Sequence, residues 1–107
     1  MNVVFNKLPA LVTEEKEAAN QVHKPFASLH EGYAVLLEEV HEAAEALGHV
    51  NYHTEQLWAA IRGDSDHMAK VAAIRIEGWA LHVAAESLQV AAMAQKLLDY
   101  IRSAEHE

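Results

Sequence analysis

The stretch SLHEGYAVLLEEVHEAAEALG, residues 28–48, decides the fold class. It opens with Ser28-Leu29-His30-Glu31, the S-x-x-E form of a capping box, in which a hydroxyl and a carboxylate satisfy two backbone donors that a first helical turn leaves free. Beyond it the residues sort with a helical period. At about 100° per residue, Glu31, Glu38, Glu42 and Glu45 fall on one side with Glu39 at its margin, while Tyr33, Leu36, Leu37, Val40, Ala44 and Leu47 fall opposite. The segment therefore predicts an amphipathic helix running from Ser28 to about Gly48.

On its N-terminal side, Leu8, Leu11, Val12, Ala18, Ala19 and Val22 predict a first helix that starts either near Pro9 or after Thr13 and is stopped by Pro25. On its C-terminal side, Thr54 as a cap and Leu57, Trp58 and Ile61 ahead of Gly63 predict a short third helix. Asp64-Ser65-Asp66 then supplies caps for a fourth, reaching about Ser103 and roughly 58 Å long if unbroken. From Trp79 to Ile101 that helix is apolar almost all round, as in a helix covered on several sides. Its length and apolarity predict either a bend near Gly78 or packing on another subunit, hence a homodimer or a dimer of dimers. The expectation is a single all-α domain over residues 1–107, a four-helix bundle with a long C-terminal helix.

Composition agrees. Of 107 residues about half are apolar, with four Gly and two Pro, too little punctuation for an all-β chain. The formal charge of −8 and the scatter of eight Lys and Arg argue against a nucleic-acid polymer as partner. A nucleotide bound through a divalent cation remains open, because the cation reverses the sign of an acidic site. The chain has no Cys, no apolar run of membrane-spanning length, and no basic leader followed by an apolar stretch in its first twelve residues. A cytoplasmic protein is expected, without membrane attachment.

The Glu stripe of helix 2 has no Lys or Arg beside it between Lys24 and Arg62. It is either a solvated helix face or a divalent-metal site. Mg²⁺ takes hard oxygen ligands and keeps positions for water and phosphate, so carboxylates one turn apart on a rigid helix suit it; Glu39 with Glu42, and Glu38 with Glu42, have that spacing. The last helix carries a matching line of His82, Glu86, Gln89 and Lys96, with Met93 among them. That line is either the helix's wet side or a polar site within a bundle.

Two segments resemble the MazG-like all-α nucleoside triphosphate pyrophosphohydrolases. Residues 28–42, with Glu38-Glu39-Val40-His41-Glu42 and the Glu31-Gly32-Tyr33-Ala34-Val35 lead-in, resemble the EExxE motif of phage-type members; residues 86–94 resemble the segment carrying ExxD. The resemblance implies a four-helix, usually dimeric fold and a Mg²⁺-dependent enzyme, with Mn²⁺ a possible substitute, that converts a nucleoside triphosphate to monophosphate and pyrophosphate. Carried over, Glu39, Glu42 and Glu86 are metal ligands and Glu38 is a further ligand or the group activating water. His82, Gln89 and Lys96 are expected to face substrate. Gln89 stands where the pattern has Asp, and the spacer between Glu42 and Glu86 is longer than in compact members.

The eight His offer one further pattern, the Glu38-x-x-His41 unit of di-iron carboxylate bundles, but no second unit accompanies it. His49 and His53 are i, i+4 and read as fortuitous; His82, one turn before Glu86, is either its hydrogen-bond partner or a substrate contact. Trp58 and Trp79 read as core or interface anchors rather than base-stacking platforms. The alternative to an enzyme is a non-catalytic helical oligomer of the same fold that binds a nucleotide or a protein partner.

Overall fold

A computed structural model describes residues 4–106. Among them are a 3-10 turn at Phe5–Lys7 and three α-helices: α1 (Leu8–Val22), α2 (Leu29–Arg62) and α3 (Asp66–Glu105). There is no strand among the described residues. The chain divides into two compact units, one of residues up to Val40 together with those from Ser87 onward, the other His41–Glu86. Both boundaries fall inside helices, so α2 and α3 each contribute to both units.

Three helices stand where four were expected, because α2 runs unbroken for 34 residues through Gly48 and Thr54. A helical Gly costs about 1 kcal/mol relative to Ala. Here the helix continues because the residues on either side of it are held: Ala46, His53 and Ala60, spaced seven apart, are all buried. Thr54 is no cap. Its hydroxyl donates to Val50 O at 2.8 Å, one turn back inside the helix, the internal use of a Thr side chain.

The other boundaries follow local chemistry. Pro9 sits in the first turn of α1, where a missing N–H costs nothing, and the backbone turns extended at His23, two residues before Pro25. Ser28 Oγ accepts from Glu31 N at 3.1 Å, and Ser65 Oγ accepts from Met68 N at 3.2 Å, capping α2 and α3. Between those helices Ser65 N donates to Ala60 O at 2.9 Å and Asp64 N to Ile61 O at 3.1 Å, the two bonds of a Schellman ending. The left-handed residue of that ending is Asp64, with φ 57°, rather than the neighbouring Gly63.

The first unit is built around Phe26, Ala92 and Met93, with Val12, Ala19, Val35, Leu36, Leu97 and Tyr100 packed on them. Gly32 permits that packing, since a Cβ there would come within 2.6 Å of Leu97 Cδ1 and 3.1 Å of the Phe26 ring. Lys16 Nζ pairs with Asp99 Oδ2 at 2.8 Å, tying α1 to α3. The second unit is a helical hairpin whose buried seam is Ala46, His53 and Ala60 of α2 and Ala72 of α3. Of the residues expected on the apolar side of helix 2, Leu36 packs in the core, whereas Tyr33, Val40 and Leu47 are exposed, as are Trp58 and Leu81.

A non-Gly residue in the left-handed region is strained, and Asp tolerates it only in part. Asp64→Gly is therefore expected to stabilise the fold by about 0.5–1 kcal/mol, read as a rise of a few degrees in the thermal midpoint followed by circular dichroism at 222 nm. A lowered midpoint would mean that the Asp64 side chain contributes more than its backbone strain costs.

Candidate metal centre

The carboxylates of α2 are brought to Glu86 by the turn at 63–65. Once Gly63, Asp64 and Ser65 reverse the chain, α3 runs back along α2 within the second unit, and the step from Glu42 to Glu86 closes. Glu39 lies one turn before Glu42 on the same helix. One carboxylate oxygen from each of Glu39, Glu42 and Glu86 lies within 4.8 Å of the other two. Glu39 and Glu86 are half-buried and Glu42 is exposed, so the group has one side toward water.

Those distances fit a hard divalent cation. Around Mg²⁺, with oxygens at about 2.1 Å, adjacent ligands stand about 3 Å apart and opposite ones about 4.2 Å, so only a small rotamer adjustment is required. Three carboxylates would leave coordination positions for water and phosphate. Glu38 is exposed and stands outside this group.

A cleft of about 370 Å³ in the second unit is walled by Glu42, Glu45, Ala46 and His49 of α2 and by Trp79, His82 and Glu86 of α3. Its charged walls are three carboxylates with no Lys or Arg. His82 Nε2 stands 3.4 Å from Glu86 Oε1, one turn apart on α3, as a partner of that carboxylate. His49 and Trp79 stack with ring centroids 3.9 Å apart and planes 11° from parallel, and His82 meets Trp79 edge-on at 5.4 Å.

Sequence reasoning missed the part played by His49 and Trp79. The signal was present: Glu42, Ala46 and His49 follow i, i+4, i+7, and Trp79, His82 and Glu86 follow i, i+3, i+7, each a single helical line. A helix ending at Gly48 leaves His49 beyond its end, so the two lines join only when α2 runs unbroken.

Gln89 and Lys96 belong to other surroundings. Gln89 Nε2 donates to Glu15 Oε2 at 2.7 Å, a part-buried bond from α3 to α1 in the first unit. Lys96 is buried there with its ammonium 4.6 Å from the Phe26 ring centroid. Comparison with known proteins returned no match among family models, curated proteins or solved structures.

The Gln89–Glu15 bond makes a specific prediction. Gln89→Glu sets carboxylate against carboxylate and is expected to cost about 1–3 kcal/mol. Exchanging the partners, Gln89→Glu with Glu15→Gln, restores an amide facing a carboxylate and recovers most of the loss. Chemical denaturation of the single and double variants measures the coupling, and a double variant no more stable than Gln89→Glu alone would show that the two side chains do not interact in solution.

Proposed function

We propose that the chain is a Mg²⁺-dependent, MazG-like nucleoside triphosphate pyrophosphohydrolase that also accepts Mn²⁺ and acts as a homodimer or dimer of dimers in the cytoplasm. The observation that carries this reading is the convergence of Glu39, Glu42 and Glu86 from two helices, with ligand oxygens within 4.8 Å. The EExxE pattern at Glu38, Glu39 and Glu42 supports it independently.

A divalent cation held by these three carboxylates would neutralise phosphate charge and align the attacking water. Glu39, Glu42 and Glu86 bind and orient; His82 holds Glu86 in its rotamer; Glu38, exposed at the neighbouring position of α2, is the group assigned to take the proton from water. Attack at the α-phosphorus breaks its bond to the bridging oxygen, and pyrophosphate leaves. The face of the stacked His49–Trp79 pair offers the nucleobase a flat apolar wall beside the carboxylates.

What supports the oligomer is how little a single copy buries. Among the described residues no large side chain is fully buried, and in the hairpin unit Leu47, Trp58, Ile61, Ile74 and Leu81 are all exposed. Two helices alone bury one stripe each, and a second hairpin covers what is left. Among the described residues no helix is long and apolar enough to cross a membrane.

Turnover is tested by incubating a panel of nucleoside triphosphates with Mg²⁺ and assaying pyrophosphate rather than phosphate. Pyrophosphate release is expected in the wild type and at least about a hundredfold less in Glu86→Gln, a loss of roughly 2.7 kcal/mol of transition-state stabilisation. In parallel, millimolar Mg²⁺ or Mn²⁺ is expected to raise the melting temperature by mass action in the wild type and not in Glu42→Ala. Light scattering at micromolar concentration is expected to give at least twice 11.9 kDa.

The engagement of Gln89 with Glu15 favours a second reading, a non-catalytic oligomer binding a nucleotide or protein partner, because the residue at the expected Asp position is committed elsewhere. Metal-induced stabilisation without pyrophosphate from any triphosphate would select that reading. Neither stabilisation nor turnover would sink both.

A further inference from the structure

Lys96 is 6% exposed, yet no hydrogen bond or ion pair reaches its ammonium among the described residues. Its partner is the Phe26 ring, 4.6 Å away at the centroid. The carboxylate nearest in sequence, Asp99, is taken by Lys16 at 2.8 Å. Its stem is packed, while the ammonium itself still reaches the solvent of the clefts beside it, with the aromatic face as its protein contact, and so stays available to an anion.

Two clefts of about 500 Å³ each, both walled by Lys96 and Phe26, lie in this unit. One has Asp99 in its wall. The other is walled by Lys24, Lys96 and His23 against a single acid, Glu31, with Phe26, Val35 and Met93 as its apolar lining. It is a cationic cleft in a chain of formal charge −8. Its size lies within the roughly 300–1,000 Å³ of small-molecule sites, and it combines a few polar groups with an aromatic and aliphatic lining as such sites do.

We propose that this cleft binds a small organic anion, its carboxylate or phosphate head paired with Lys96 and Lys24 and its apolar body against Phe26, Val35 and Met93. The anion pairs with an ammonium that faces the cleft and has no carboxylate of its own among the described residues. The site shares no residue with the carboxylates of the metal centre and does not depend on the hydrolase reading.

The test is an amide NMR titration of the full chain, without metal or nucleotide, using benzoate, phenyl phosphate and the neutral benzyl alcohol. At least one anion is expected to give saturable shifts in residues 22–35 and 93–96 at millimolar concentration, about tenfold tighter than benzyl alcohol; the tighter of the two names the head group. Lys96→Met is expected to weaken that binding about tenfold or more while the melting temperature stays or rises, and Lys96→Arg to keep it. If both anions bind no better than the alcohol in the wild type, the proposal is overturned without recourse to a variant. It is equally overturned if Lys96→Met lowers stability and leaves anion affinity intact, for then the lysine only supports Phe26.

Discussion

Carboxylates held one turn apart on a helix repel each other by about 0.2–0.5 kcal/mol per pair, and α2 carries Glu38, Glu39, Glu42 and Glu45 with no cation of its own before Arg62. A helix of that composition does not persist on local interactions. It persists because Ala46, His53 and Ala60, further along the same side, are buried in the seam of the hairpin. The rest of the candidate site depends on this. An unbroken α2 fixes the register from Glu39 through Glu42 to His49, and only in that register do the carboxylates and the aromatic ring share a line facing Trp79, His82 and Glu86.

The same seam explains why so much apolar surface stays outside. Close approach of two helices favours small side chains, and the buried residues of the hairpin are three alanines and one histidine. At roughly 25 cal/mol per Å², such residues supply far less than the leucines, isoleucines and tryptophan left exposed beside them. Helix propensity does not compensate, because long helices in water draw most of their stability from packing. Close contact within one copy and the apolar surface left outside it are thus two results of one choice of residue size. The heptad spacing of Ala46, His53 and Ala60 is the spacing with which helices of separate chains also interlock.

How much of this was legible in the sequence depended on whether the deciding information was local. The all-α class, the Ser28 cap, a cap for the last helix within Asp64-Ser65-Asp66, the stop of α1 ahead of Pro25 and the long C-terminal helix are legible, since each rests on a few adjacent residues or on a periodicity. The break at Gly48 was read wrongly for the same reason. A Gly followed by Asn51 and Thr54 looks like an ending when only its neighbours are considered, and burial of Ala46 and His53 against α3 overrules it. Asp64 rather than Gly63 took the left-handed position because the Schellman bonds are set by where the last helical carbonyls lie, a matter of register and not of residue preference alone. Glu39, Glu42 and Glu86 could be named from their motifs, but that they meet was decided by the turn at 63–65. Gln89 and Lys96 shared a line with Glu86, and sharing a line on a helix 40 residues long does not mean sharing an environment.

Gln89 bears on the charge of the proposed centre. With Glu39, Glu42 and Glu86 as its carboxylates, one divalent cation leaves a local charge of about −1, and Glu45 in the same cleft adds to it. A triphosphate approaching that field is repelled unless it brings a cation of its own. An Asp at position 89 would add a further negative charge to the helix and would confront Glu15, whose Oε2 now accepts from the Gln89 amide. The neutral amide thus does two things at once: it ties α1 to α3, and it keeps the carboxylate count of α3 near Glu86 to one. In the hydrolase reading, this shifts the burden of charge balance from the protein to the metal-complexed substrate. Activity would then follow the concentration of the metal–nucleotide complex more closely than that of free metal, a dependence separable by varying total nucleotide at fixed free Mg²⁺.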